Sequence, residues 1–295
     1  MIVTLDVFSG RPNPTWNLNE KDAKKFAERF AGKSVTGAEN TEVPLGYRGF
    51  SIESASDVVL PDNIPQKFYV GGTLSESFAA GKLKSPLLTA DETDSAVKWL
   101  LSTAGNAVTE DVANYVKETL KQQKKGMKEA VKEPAEDTLL KDLKVVSACV
   151  IQSTPYNPAF WNDPVTMQNN NCYNYAMNYR SNTFAQPGRR SGHPAPFPPI
   201  CSNIQTAANW DGCKATCAGG NKLVALVIWP GNDYHWYRKH SEGFWGHKPG
   251  HTAARNYDSL NRKIDGIHLT PFNCARGPYT IFCSYLYSPT GMIVS

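Results

Sequence analysis

A cysteine and two histidines in the C-terminal half are the candidate catalytic residues of this sequence. Cys172 follows three asparagines, Asn169 to Asn171. Asparagine is a favoured helix N-cap, so we expect Cys172 in the first turn of a helix. The helix dipole and the unpaired N–H groups there lower the pKa of a thiol. Cys172 is therefore the candidate nucleophile, and a disulfide half or an inert core thiol is the structural alternative.

His235 lies just after a buried apolar run, in a segment that reads as a strand. Alternation places His235 and Tyr237 on one face of that strand and Trp236 on the other. Residues 239–243 read as a hairpin loop, and the next strand contains His247. These features predict two histidines on neighbouring strands.

The register of this hairpin decides whether the histidines meet. A loop centred on Ser241 pairs His235 with His247 and Tyr237 with Trp245, with Cβ atoms about 5 Å apart. A slip of one residue would send the histidines to opposite faces. We expect His235 to act as base and His247 to orient it. Three polar residues are alternative orienters: Asp233, Asn256 and Asp258.

This order of elements resembles the papain-like hydrolases, and it is most similar to their NlpC/P60 branch. The resemblance covers residues 165–250, as a layout and not as a motif. It implies Cys172 as nucleophile, His235 as general base and acid, and His247 as the third residue. The oxyanion hole would use the backbone N–H of Cys172 and a donor from Asn170 or Gln168.

A second resemblance rests on short blocks spread along the whole chain. These blocks resemble the signature blocks of a largely uncharacterised, mainly bacterial family. They are Phe8-Ser-Gly-Arg-Pro-Asn-Pro-Thr-Trp16, Leu45-Gly-Tyr-Arg-Gly-Phe50, Asn171-Cys-Tyr-Asn-Tyr-Ala176, Thr183-Phe-Ala-Gln-Pro-Gly-Arg189, Tyr234-His-Trp-Tyr-Arg238 and His247-Lys-Pro-Gly250. This resemblance supports the domain assignment and implies no activity.

The surrounding elements predict an α+β protein in two parts. Residues 1–137 form an N-terminal α/β unit followed by a helical middle, with Val3, Leu5 and Val7 on one face of a first strand. Residues 138–295 form the part that contains the cysteines and histidines, a papain-like antiparallel sheet with a helix-start cysteine. The apolar run 223–229 predicts a buried strand, and five prolines in 186–199 predict an extended loop.

Charge and hydropathy exclude some classes of function. The net charge is +4 and no basic cluster carries interleaved aromatics, so nucleic acid is not an expected partner. The longest apolar run is too short to cross a bilayer. The N-terminus does not read as a signal peptide.

All seven cysteines lie in the C-terminal half, which favours a secreted or extracytoplasmic protein, with a cytosolic one as the alternative. Six could form three disulfides and leave one free thiol. Cys274 and Cys283 most simply pair with each other or with the nearby loop. Zinc binding by Cys201, Cys213 and Cys217 is a minority alternative, and no metal or cofactor is assigned.

The sequence thus predicts a cysteine hydrolase that cleaves an amide bond in a peptide or peptidoglycan-like substrate. Four residues are the predicted substrate contacts: Asn170, Trp236, Tyr237 and Trp245. The alternative function is a non-catalytic secreted binding or toxin-like protein that recognises a glycan or a protein surface. In that case exposed tryptophans and tyrosines would stack on sugars.

Overall fold

The computed structural model describes residues 1–30, 44–54, 67–71, 90–124, 135–139, 154–217 and 221–295. These residues form helices and two four-stranded antiparallel sheets, which confirms the α+β class. Cys149 and residues 125–134 lie outside the described residues.

The first unit comprises Met1–Val7, Asn13–Val43 and Tyr47–Glu129. Its strands are β1 (Ile2–Asp6), β2 (Thr15–Asn17), β3 (Gly49–Glu53) and β4 (Lys67–Val70), and its helices are α1 (Glu20–Phe30), α2 (Ala90–Thr103) and α3 (Glu110–Lys124). The sheet order is β2-β1-β3-β4. Val3 and Leu5 of β1 are fully buried because alternate side chains of a strand face the core, as predicted. Asn19 caps α1, its side chain accepting from the N–H of Asp22 at 2.8 Å.

The second unit comprises Phe8–Pro12, Pro44–Gly46 and Ala130–Ser295. Its helices are α4 (Ala159–Asn162), α5 (Pro164–Asn169), α6 (Cys172–Met177) and α7 (Cys201–Asp211), and its strands are β5 (Lys222–Trp229), β6 (Asp233–Lys239), β7 (Trp245–His247) and β8 (Ile281–Ser288). The sheet order is β7-β6-β5-β8. Every residue of β5 is buried, as its apolar run predicts. Residues 186–199 contain no helix or strand, also as predicted.

A core on one face of this second sheet holds α6 and α7 in place. It contains Val224, Leu226 and Ile228 of β5, Tyr234 and Trp236 of β6, and Cys172, Tyr173 and Ala176 of α6. Such apolar burial is the main stabilising contribution to a fold of this size. No helix in the described part of the chain is long and apolar enough to cross a membrane.

Candidate functional site

Cys172 is the first residue of α6, where the sequence predicts it. The side chain of Asn171 caps this helix by accepting from the N–H groups of Tyr173 and Asn174. In turn, the side chain of Asn174 accepts from the N–H of Asn171. This capping box satisfies donors that a helix start would otherwise leave unpaired. The thiol of Cys172 is free but fully buried. Burial, and then the Asp233 carboxylate, raise the pKa of this thiol well above its usual value.

The two predicted histidines do meet. His235 Nε2 and His247 Nδ1 are 2.9 Å apart, and His247 Nε2 lies 2.9 Å from the carbonyl oxygen of Tyr257. Both side chains are buried. Burial, and then the nearby Arg255, lower the pKa of His247 to about 3. His247 is therefore neutral near pH 7.

The predicted register of the hairpin is wrong by two residues. Tyr237, and not His235, lies opposite His247, and Lys239 lies opposite Trp245. The turn is centred on Glu242, since the N–H of His240 donates to Phe244 O at 2.9 Å. A shift of two preserves the side-chain face, because alternation has a period of two. The histidines consequently share a face and reach each other diagonally.

Cys172 and His235 lie on opposite faces of this sheet. The thiol belongs to the core that contains Tyr234 and Trp236, the even-numbered face of β6. His235 is on the other face, in contact with the rings of Tyr237 and Tyr279. The structure therefore brings the histidines together but does not bring the cysteine to them.

The predicted substrate contacts are buried as well. Asn170, Trp236, Tyr237 and Trp245 each have an exposure of 0%. The Asn170 amide is fully used within the protein, donating to Thr166 O and Asn182 Oδ1 and accepting from the N–H of Asn182. In this conformation none of the four offers surface to a ligand in solution.

The alternative orienters also have other partners. The carboxylate of Asp258 binds the guanidinium of Arg262 at 2.7 Å and accepts from the N–H groups of Leu260 and Ala275. The Asp258 carboxylate is thus held by Arg262 and by backbone donors.

The cysteine pairing differs from the expected one. Cys201 is bonded to Cys283, so the pairing of Cys274 with Cys283 is wrong. Cys217 is also disulfide-bonded, whereas Cys213 and Cys274, like Cys172, are buried thiols outside any disulfide. The expectation of a single free thiol is therefore wrong. The zinc alternative fails because two of its three sulfurs are in disulfides, and no cluster of three metal-binding side chains occurs among the described residues.

The sequence blocks converge on the backbone of Ser9 and Gly10. Gly10 O accepts from the side chains of Asn171, Gln186 and Tyr234, at 2.8, 2.8 and 3.2 Å. The N–H of Gly250 donates to Ser9 O at 3.2 Å. Five of the six blocks thus meet at one point of the second unit.

The buried carboxylate of Asp233 secures this junction. It accepts from the N–H groups of Ser9, Gly10 and Arg11 at 2.6, 3.2 and 2.9 Å, and from the hydroxyl of Tyr279 at 2.6 Å. Gly10 lies against the ring of Tyr234, which leaves no room for a Cβ. From the sequence, Asp233 is only an alternative orienter of His235, whereas in the structure it holds the backbone of residues 9–11. The sequence signals for this role are the neighbouring Tyr234 and the short block around Gly10.

Fold and site together define a disulfide-containing α+β domain with a buried histidine pair and a junction that gathers distant segments. Over 142 residues, 47% of this chain and 93% of the relative, the chain is 42% identical to Insoluble matrix shell protein 1 of Ruditapes philippinarum. The chain belongs to the family of this shell matrix protein. No family model and no solved structure matches the chain.

Proposed function

We propose that this chain is a non-catalytic, secreted protein of an extracellular matrix, and that its second unit is a rigid binding module. The relative is named as an insoluble matrix protein of a shell, which supports a matrix role. The Cys201–Cys283 disulfide supports an oxidising compartment, because disulfides persist mainly outside the cytosol.

The observation that carries the proposal is the burial of the candidate catalytic residues on two sides of one sheet. A cysteine nucleophile needs an accessible thiolate beside its base. Cys172 has no exposed surface, its thiol pKa is raised, and it packs on the face opposite His235. These features support a structural role for Cys172, His235 and His247.

A cysteine hydrolase of papain-like layout is the second candidate. Two observations favour it: the capped helix start at Cys172 and the 2.9 Å hydrogen bond between His235 and His247. That bond has the geometry of a base and its orienting partner. The hydrolase would act on a peptide or peptidoglycan-like amide, and it would require α6 to bring Cys172 onto the face of His235.

Alkylation of the native protein separates the two candidates. We expect iodoacetamide near neutral pH to leave Cys172, Cys213 and Cys274 unmodified in the folded protein and to modify all three after denaturation, as read by peptide mass spectrometry. The two other buried thiols are internal controls for local opening. Selective native modification of Cys172, together with amide hydrolysis that Cys172→Ala abolishes, would establish the hydrolase and refute the proposal.

A further inference from the structure

A cavity of about 270 Å³ opens beside the Gly10 junction in the second unit. Residue 11, segment 186–189, the proline-rich loop 194–199, α7 and β6 all contribute to its lining. Its polar wall consists of Arg11, Gln186, Arg189 and Tyr234, and its apolar wall includes Phe197 and four prolines. A concave site with a few convergent polar groups is the usual form of a ligand pocket.

Two guanidinium groups give this cavity a positive charge. Among the residues that the structure describes, no aspartate or glutamate lines the cavity, and neither Arg11 nor Arg189 pairs with an aspartate or glutamate side chain. Burial raises the pKa of the Tyr234 hydroxyl well above its usual value, and the charges of Arg11 and Arg189 oppose this shift. Two rigid cations without an aspartate or glutamate partner favour an anionic ligand.

Both arginines are held in place before a ligand arrives. Arg11 lies between two aromatic rings, 5.3 Å from the centre of Phe8 and 4.8 Å from that of Phe197, and its Nη1 donates to Asn232 O. Arg189 donates through Nε to Ser295 O and through Nη2 to Thr183 O, each at 2.8 Å. Preorganisation of this kind reduces the entropy cost of binding.

The remaining edge of Arg11 indicates the type of anion. Its Nε and Nη2 make no hydrogen bond to any residue in the described part of the chain, so this edge presents two parallel N–H groups. That fork matches the two oxygens of a carboxylate. Beside it, Phe197 is 65% exposed and offers an apolar ring surface.

We propose that this pocket binds a uronic acid unit of an acidic polysaccharide. The proposal rests on the proposed function, a matrix protein that binds rather than cleaves, and it names the ligand class. A pyranose ring that bears a carboxylate places the anion on Arg11 while its C–H face covers Phe197 and the prolines. The single carboxylate side chain of an acidic peptide would leave that apolar wall bare, so the sugar fits the cavity better.

Calorimetry on the full chain with trigalacturonate tests the proposal. We expect trigalacturonate to bind and its fully methyl-esterified form, which lacks the charge, to bind at least about tenfold more weakly. Arg11→Gln should weaken binding about tenfold, and Arg11→Lys, which keeps the charge but not the fork, should weaken it nearly as much. Phe197→Ala should weaken it about threefold.

Arg190→Gln is the matched control, because Arg190 is exposed, adjacent to Arg189 and absent from the pocket wall. It should change affinity by less than about twofold. Equal loss in Arg190→Gln and Arg11→Gln would reduce the effect to diffuse charge and overturn the site. The ligand class would be overturned if the methyl ester or oligoglutamate bound as tightly as trigalacturonate. Binding of dextran sulfate without binding of trigalacturonate would overturn it too. Alkylation of Cys172 in the native protein tests the proposed function separately. If the chain does not bind the sugar but Cys172 stays unmodified, only the ligand proposal fails.

Discussion

At the scale of single residues, burial sets the charge of His240 and His247. His247 is held by His235 and the Tyr257 carbonyl, and His240 by the hydroxyl of Tyr175 at 2.7 Å and by Thr154 O at 2.9 Å. Burial and the nearby Arg238 lower the pKa of His240 to about 4, as burial and Arg255 lower that of His247 to about 3. Both side chains contribute to the core as neutral imidazoles.

The free energy of unfolding should therefore fall in mild acid. Both folded pKa values lie below the ordinary value of 6.5. As pH falls below 6.5, the two histidines become protonated in the unfolded chain before they do in the folded chain. The stability that the neutral histidines contribute is therefore complete above pH 6.5 and is lost as pH falls towards the folded pKa values. At about pH 5, each of these two histidines should lower the free energy of unfolding by on the order of 2 kcal/mol relative to its value at neutral pH.

Urea unfolding at a series of pH values measures this effect. His240→Gln and His247→Gln should each flatten the dependence on pH between the unfolded and folded pKa values. His193→Gln, which alters an exposed histidine, is the control and should leave the slope as it is. An unchanged slope in both core variants would show that other groups govern the acid response.

At the scale of elements, the Cys201–Cys283 disulfide joins the start of α7 to β8 across 82 residues of sequence. Closing a loop of this length restricts the unfolded chain and, by the chain-entropy estimate, is worth about 4 kcal/mol. The disulfide also holds the end of the proline-rich loop, whose residues form the apolar wall of the pocket.

Replacing both cysteines by serine should lower the free energy of unfolding by up to about 4 kcal/mol. Urea unfolding monitored by circular dichroism measures the change. Ser202→Ala, at an exposed neighbour of Cys201, is the control and should have little effect. If the double variant unfolds at the same urea concentration as the native protein, the disulfide does not contribute to stability.

At the scale of the whole molecule, the second unit is assembled from three separate stretches of chain. Residues 8–12 belong to it, although composition places a boundary near residue 137. The reason is the buried Asp233 carboxylate, whose three backbone donors come from Ser9, Gly10 and Arg11. A buried carboxylate is tolerated only where hydrogen bonds replace its hydration.

A fragment that begins at Ala130 should accordingly be less stable than the second unit of the full chain by several kcal/mol, on the order expected for a buried carboxylate that loses partners. Asp233→Asn should cost about 3 kcal/mol in the full chain and less in the fragment, because the three backbone donors are already gone there and only the Tyr279 hydroxyl remains. Urea unfolding of the four proteins completes the cycle. Equal stability of fragment and full chain would contradict this account of the junction.

Much of the local structure could be predicted because it depends on neighbours in sequence. The alternation of Val3 and Leu5 and the helix start at Cys172 follow from short-range sterics and hydrogen bonding. The sequence also predicts the hairpin, but with its turn centred on Ser241. The bond from the N–H of His240 to Phe244 O places the centre at Glu242 instead.

The class of fold, the capped helix start at Cys172 and the shared face of His235 and His247 can be predicted from the amino-acid sequence, because they follow from periods of two and of about 3.6 residues. Three features depend on long-range packing: α6 packs on the other face of the sheet, Cys201 pairs with Cys283, and distant blocks meet at Gly10. Each depends on contacts between residues far apart in the chain. The charge states of Cys172 and His247 depend on burial, which exists only once those contacts have formed.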